Sequence, residues 1–431
     1  MNFSAIRQQA KQERTDKRYA EAVGHYERLW EQFPDACDQW VGWEYADCLY
    51  RIQDYTGALA VCRSVYKKAS DFPHIRNLYG RCIYQLEMKA SEVKNPQQFL
   101  KAAKAIIELT VQDPYSPYVK TVFKVVEYYK KANRFDDMII WLQRLDVEKL
   151  SRTCGRFTDN EGQERELASD WETYHSLHAK ALVMTKQYQE AIDASEKALA
   201  TITSFHYNND IWFKWYMAKS YEALGDYQQA LAILQDILRR KKEWFFYDAL
   251  SKVYYSQNSY REAMMCAVNA ALGAQQMLSA TLLGRLAELF AREGEQEWAA
   301  RQIELACALQ LRKTTVLDNR LTDLARSYQV DVKNLQDANT LLRSLQQKWE
   351  QTINEMRILQ CGEITKLILE GKAGFITGTD GNSYYFKSKN FSAKQGILSV
   401  GSKVQFYGEE SFDRKKNQVS FEAVGIRLVA V

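Results

Sequence analysis

Trp215-Tyr216-Met217-Ala218-Lys219-Ser220-Tyr221, followed by Gly225-Asp226-Tyr227 and Ala230, is the stretch from which the fold is read. Aromatic and small residues are interspersed over two helical turns, glycine breaks the run, and an aromatic with an alanine three residues on restarts it. That pattern describes two short helices joined by a tight turn, with alanine letting the second helix lie close against the first. The restart recurs. An aromatic, two residues, alanine and an apolar residue four further on stand at Tyr19/Ala22/Tyr26, Tyr55/Ala58/Cys62, Phe99/Ala102/Ile106, Tyr188/Ala191, Tyr227/Ala230/Leu234 and Tyr260/Ala263/Ala267. Phe135/Met138/Leu142 is a weaker copy, and Ala299/Ile303 lacks the aromatic. The aromatic-to-aromatic steps are 36, 44, 36, 53, 39 and 33 residues. A helix–turn–helix unit of about 34 residues with insertions accounts for them. A single unit leaves an apolar face uncovered, so neighbours must stack.

Composition agrees. Only 19 glycines and 5 prolines in 431 residues argue against a loop-rich or all-β chain and for long helices. A hydrophobic share of 46% excludes wholesale disorder. The net charge of +4 does not by itself announce a nucleic-acid binder. The eight cysteines are scattered with no C-x-x-C pair, as expected of reduced, mostly buried thiols in a cytoplasmic protein. The N-terminus has no apolar core of signal length, and no run approaches the ~18 apolar residues of a membrane span.

The repeat resembles the tetratricopeptide repeat. The copy at Trp215–Ala230 fits that family's W-x2-L-G-x2-Y…A pattern, with Met217 and Ala218 in place of Leu-Gly. Pro34 and Pro114 close the first and third units where the family places proline. The resemblance implies a superhelix of seven or eight helical hairpins over roughly residues 15–310, within a domain spanning 1–312. Two insertions interrupt it: Glu87–Gln98, expected to lengthen two helices, and Ser151–Ser169, expected to form a polar surface loop. Residues 313–357 read as capping or linker helices. Leu335, Ala338, Leu341, Leu342, Leu345, Trp349, Ile353 and Met356 form an amphipathic stripe suited to covering the last repeat. A dimer through 334–356 is the other use of that stripe.

From residue 358 the texture changes. Nine of the 19 glycines fall beyond Gln360, among alternating segments at Glu363–Leu369, Gly374–Thr377, Ser383–Lys387, Lys403–Tyr407 and Val419–Leu428. Five short strands predict a small Greek-key barrel over 358–431. Gly362–Ile376 resembles the opening of a cold-shock domain (G-K-V-K-W-F-N-x-x-K-G-F-G-F-I), and Tyr384-Tyr385-Phe386-Lys387, Val400–Phe406 and Ala423–Ile426 stand where that family has its later strands. The resemblance implies an OB-fold whose outer face binds RNA or single-stranded DNA through Lys366, Lys372, Phe375, Tyr385 and Lys387. The chain departs from the family there: Ala373 replaces an aromatic, Lys366 a tryptophan and Lys387 a histidine. Two stacking partners remain, so weak, salt-sensitive and sequence-tolerant binding is expected. Residues from Gln360 onward carry ten Lys/Arg against seven Asp/Glu, including a basic point at Arg414-Lys415-Lys416.

In the repeats, the residue after the small helix-packing position should face the concave surface. It is Lys180, Lys219 and Lys252 in three consecutive units, Arg81 in an earlier one, and acidic at Asp47, Glu127 and Glu288. The lysines, with Trp212, Trp215, Phe245 and Tyr255, predict a groove for an acidic peptide, a carboxyl terminus or a nucleic-acid backbone. Catalysis finds little support. His175 and His178 are three apart without a third metal ligand, Cys154 stands alone in the polar insertion, and no phosphate loop, nucleophile elbow or H-E-x-x-H is present. The reading is a non-enzymatic adaptor without cofactor or metal. It holds a protein partner in the helical groove and nucleic acid at the barrel. The alternative is a pure protein scaffold, of the sort a bacterial stress or phage-defence complex would use, whose barrel no longer binds nucleic acid.

Overall fold

The structure is a computed structural model that describes residues 2–274, 277–369, 371–391, 399–413, 416 and 418–429. It divides into two compact units, Met1–Asn209 and Asp210–Val431, so the division falls inside the repeat array. Eighteen α-helices precede a five-stranded C-terminal sheet among the described residues.

In the first unit the helices are α1 (Phe3–Thr15), α2 (Tyr19–Gln32), α3 (Gln39–Arg51), α4 (Tyr55–Lys68), α5 (Pro73–Ile83), α6 (Pro96–Leu109), α7 (Tyr118–Lys131), α8 (Phe135–Leu142), α9 (Asp170–Met184) and α10 (Tyr188–Thr201). They pair as successive hairpins, the first beginning ahead of the expected residue 15. The recurring aromatic opens the second helix in all but the third, where Phe99 sits one turn in. Ala22, Ala58, Ala102 and Ala191 are all buried, as close helix approach requires. Side chains cap several first turns: the Val41 amide donates to Asp38 Oδ1 (2.8 Å) and the Glu172 amide to Ser169 Oγ (3.1 Å).

The first insertion differs from expectation, while the second lies on the surface as expected. Instead of lengthening two helices, the first adds a π-turn, Tyr84–Met88, to the end of α5, and α6 begins at Pro96. Asn95 and Pro96 set that start: the Asn95 side chain accepts from the Gln98 amide (3.1 Å) while proline takes the first helical position. The second insertion is a small hairpin, β1 (Gly155–Thr158) with β2 (Glu164–Leu167), exposed along both strands.

The second unit continues with α11 (Asn209–Leu224), α12 (Tyr227–Arg240), α13 (Trp244–Ser256), α14 (Tyr260–Ala274), α15 (Ala280–Arg292), α16 (Gln296–Leu311), α17 (Asn319–Ser327) and α18 (Ala338–Met356). α18 lays Leu341, Leu345, Trp349 and Ile353 into the core formed by α14 and α16. Because all four are buried within this chain, the stripe offers no seam for a dimer through 334–356.

The C-terminal strands are β3 (Leu359–Ile368), β4 (Ala373–Gly378), β5 (Ser383–Lys387), β6 (Lys403–Asp413) and β7 (Gln418–Leu428). Their order is β3-β4-β5-β7-β6, β6 pairs back onto β3, and the β5–β7 pairing is parallel, so the sheet closes on itself. Ile364, Ile376, Phe386, Val404, Phe406 and Ile426 fill the interior. Gly374 is there for space: a Cβ would lie 2.3 Å from the Lys366 carbonyl oxygen and 2.7 Å from the Phe386 ring. β6 is six residues longer than the sequence pattern suggested. Arg414, Lys415 and Asn417, in the expected basic turn, lie outside the described residues.

The turns inside the hairpins share one device. A residue in the left-handed region ends the first helix at Lys17, Gln53, Asn133, Lys186, Gly225, Asn258 and Gly294, and only two of these are glycine. Replacing exposed Gln53 (φ 68°) with glycine should therefore stabilise the first unit by about 0.5–1 kcal/mol. Gly225→Ala should cost about 1 kcal/mol, although nothing lies within 4 Å of the new methyl group. Urea denaturation of each variant checks both signs.

His175 is buried between Trp171 and Tyr174, with neither ring nitrogen hydrogen-bonded. Burial first, then the charges of Lys197, His178 and Arg152, pull its pKa down from 6.5 to about 4. The fold accepts only the neutral ring, so the stability it protects is present above pH 6.5 and is lost as pH falls toward 4. The first unit should lose about 2 kcal/mol between pH 7 and pH 5, and His175→Phe should flatten that slope in urea melts.

Candidate functional site

On the barrel, β3, β4, β5 and β7 bring one residue each into a transverse row: Lys366 opposite Phe375, Phe375 opposite Tyr385, and Tyr385 opposite Glu422. Phe375 and Tyr385 are partly exposed on the outer face, their rings edge to face with centroids 5.6 Å apart. Lys366, Lys372 and Lys387 are exposed around them. Ala373, on the same strand face as Phe375 and opposite Lys387, is covered. The register thus unites Lys366, Phe375 and Tyr385, with Lys387 one step along β5.

A groove of about 760 Å3 opens beside this row, lined by Phe375, Tyr385, Lys387, Phe412, Lys416 and Phe421 among others. Phe412 and Phe421 were not singled out from the sequence. They belong to the extended β6–β7 ribbon, where Phe412 pairs with Val419 and Phe421 with Glu410. The signal was an aromatic on each side of the Asp413–Asn417 turn, one residue before it and four after. Four rings therefore line the groove, not two. Asp413 and Glu422 line it as well, so its two lysines face two carboxylates, and the Asn390 side chain donates to Glu422 Oε1 (3.1 Å).

The same ribbon contacts the helices of its unit. Arg239 on α12 donates to Glu410 (2.7 Å), while Lys242 and Arg357 both reach Glu409 (2.6 Å each). The Arg240 guanidinium lies 4.5 Å from the centroid of the Phe412 ring.

The inner helix positions are less free than their sequence suggested. Lys219 (3.3 Å) and Lys252 both pair with Glu222, which is buried. Arg285 pairs with Asp248, and Tyr255 donates to Glu288 (2.7 Å). Burial pushes the Asp248 carboxyl up and the Arg285 guanidinium down. Three cations and three carboxylates alternate there, so the expected cationic row in the second unit is a compensated network. Glu222 and Asp248 were missed because each lies a turn away from the position used to read the inner face. The aromatics do cluster: Trp212 and Phe245 are parallel at 6.0 Å and Trp215 meets Phe245 at 5.7 Å, with Lys219 5.8 Å from Trp215. Lys180 lies in the first unit on α9, half-buried, its pKa lowered by burial and then by Lys130.

Near the N-terminus, a groove of about 770 Å3 contains Asp47 and Arg81, two residues read as inward-facing. Asp47 accepts from Arg14 (3.0 Å) and Arg51 (3.1 Å). No cluster of three His, Cys, Asp or Glu able to hold a metal occurs among the described residues. Of the cysteines, Cys361 is exposed, Cys37 and Cys154 are half-buried and the other five are buried. No helix among the described residues is long and apolar enough to cross a membrane.

The ion pairs under Glu409 and Glu410 predict that the barrel is seated by charge. Reversing both residues to lysine should speed tryptic cleavage after Arg357 several-fold without lowering helix content. Proteolysis followed by mass spectrometry, with circular dichroism as control, measures it.

Comparison with known families places residues 14–82 in a tetratricopeptide repeat model and residues 211–348 in a model described as a domain of unknown function (DUF7017). No curated protein matches the chain. Among solved structures, a tetratricopeptide repeat protein from Parabacteroides merdae is 11% identical, covering 76% of this chain and 98% of its own, at a TM-score of 0.30. A thermophilic tetratricopeptide repeat protein of Thermus thermophilus is 15% identical, with 49% and 100% covered and a TM-score of 0.34. The human IFIT1 dimer with m7Gppp-AAAA is 14% identical, with 80% and 86% covered, at 0.32. Residues 14–82 carry tetratricopeptide repeats.

Proposed function

We propose that the chain is a non-enzymatic adaptor whose repeats hold a protein partner and whose barrel is an OB-fold of cold-shock kind that binds RNA or single-stranded DNA. Tetratricopeptide repeats are protein-interaction scaffolds, and the inner helix faces are where a peptide would lie, Lys180 belonging to the first unit and Lys219, Lys252 and the Trp212–Phe245 cluster, separately, to the second. The closed strand order with a parallel β5–β7 join supports the OB-fold reading.

One observation carries the nucleic-acid half: Phe375 and Tyr385 stand in register on the outer face, flanked by Lys366, Lys372 and Lys387, with Phe412 and Phe421 extending the groove. Bases stack on such rings for about 1–3 kcal/mol each, and every base offers a π-face, so binding is sequence-tolerant. The near balance of charge in the groove keeps it weak.

The pure scaffold is the second reading, favoured by Asp413 and Glu422 facing the groove lysines. The full-length chain separates the two. A fluorescein-labelled single-stranded oligonucleotide at 50 mM salt should bind, and Phe375→Ala with Tyr385→Ala should weaken that binding at least tenfold by anisotropy. An unchanged affinity, or none in the parent, overturns the nucleic-acid half.

A further inference from the structure

A run of positive charge without ion-pair partners lies on α7, in the first unit. Lys120, Lys124, Glu127 and Lys131 recur on α7 at steps of four, three and four residues, which sets them along one face of the helix. They line a groove of about 840 Å3 together with Tyr84, Phe123 and Tyr128. Tyr84 comes from the π-turn that ends α5, and Ser91, Glu92 and Val93 of the segment after it complete the wall. The insertion that interrupts the repeat thus builds one side of this groove.

The charge is not balanced as it is in the second unit. Glu127 pairs with Lys130 (2.9 Å). Lys120, Lys124 and Lys131 make no ion pair among the described residues. Lys180 lies close enough to Lys130 and Glu127 for both to act on its pKa. Asp170, its pKa raised by burial against the opposing pull of Lys120, is a further acid nearby. Five lysines, 120, 124, 130, 131 and 180, stand against Glu92, Glu127 and Asp170, an excess of two positive charges.

We propose that this α7 groove is a second binding site for single-stranded nucleic acid, independent of the barrel. The lysines run along the helix one turn apart at Lys120 and Lys124, about 6 Å of rise, close to the separation of successive phosphates in an extended strand. Phe123 and Tyr128 lie on either side of the stripe, and Tyr84 opposes them from the π-turn. All three are half-buried, so their rings are held in place before a base arrives. An acidic peptide would use the lysines but leave the three π-faces without stacking partners, which decides for nucleic acid.

The test is made in the full chain already carrying Phe375→Ala and Tyr385→Ala, so that the barrel site and this one fail separately. The probe is a fluorescein-labelled 15-nucleotide oligouridine, read by anisotropy between 50 and 200 mM salt. The barrel double variant should retain binding, and adding Lys120→Glu, Lys124→Glu and Lys131→Glu should weaken it at least tenfold. Lys120→Gln, Lys124→Gln and Lys131→Gln should lower the log–log salt slope by about 2, as loss of three phosphate contacts requires. A thermal melt by circular dichroism confirms that these variants fold. No residual binding in the barrel variant overturns the proposal, as does residual binding that ignores the lysines. A polyglutamate peptide that binds as tightly as the oligonucleotide overturns it too, since the aromatic floor would then contribute nothing.

Discussion

Each helical hairpin is stable only when its neighbour covers its apolar face. The alanines near the start of most second helices make that cover close enough to count: Ala22, Ala58, Ala230, Ala263 and Ala299 are fully enclosed, and larger residues there would push the paired helices apart. The same requirement explains α18. The last hairpin of the array has no following repeat, and Trp349, with Leu341 and Leu345, supplies the missing surface from a helix of a different pattern.

Because the core is settled by these contacts, the inner helix faces are free to vary in charge, and the two units use that freedom differently. In the second unit Lys219, Lys252 and Arg285 each have a carboxylate in reach, and the resulting network fixes side chains while leaving little net field. In the first, α7 presents lysines whose only carboxylate on the same stripe is already engaged by Lys130. A lysine at an inner position therefore says little alone; what matters is whether an acid stands one turn away or on the next helix.

That is also where the sequence stopped being legible. Helix starts and the strands of the barrel could be read because aromatic, alanine and alternating apolar positions report burial, which is local and periodic. Glu222 and Asp248 could not, since pairing across helices depends on rotation about axes that spacing does not fix. Lys17, Gln53 and Lys186 hide the hairpin turns, taking a left-handed conformation that glycine would have advertised. The π-turn at Tyr84–Met88 shifts the face of one helix end without any change in composition. β6 runs past its expected end at Tyr407, and Glu409 and Glu410 in that extension are held by Arg239, Lys242 and Arg357.

Those ion pairs tie the barrel's chemistry to the helices behind it. Phe412 lines the barrel groove and also lies under the Arg240 guanidinium, which is itself held by Asp210 (3.5 Å) and Asp236 (3.8 Å). One wall of the groove is therefore positioned by α12 rather than by the barrel alone. A long two-stranded ribbon has no core of its own, and cut from α12 the ends of β6 and β7 would fray. The aromatic row on β4 and β5 would survive, as would Phe421, which packs on Tyr384 of the closed sheet, whereas Phe412 would lose its setting. The groove is thus a property of the whole second unit, with Phe412 the ring whose place depends on α12.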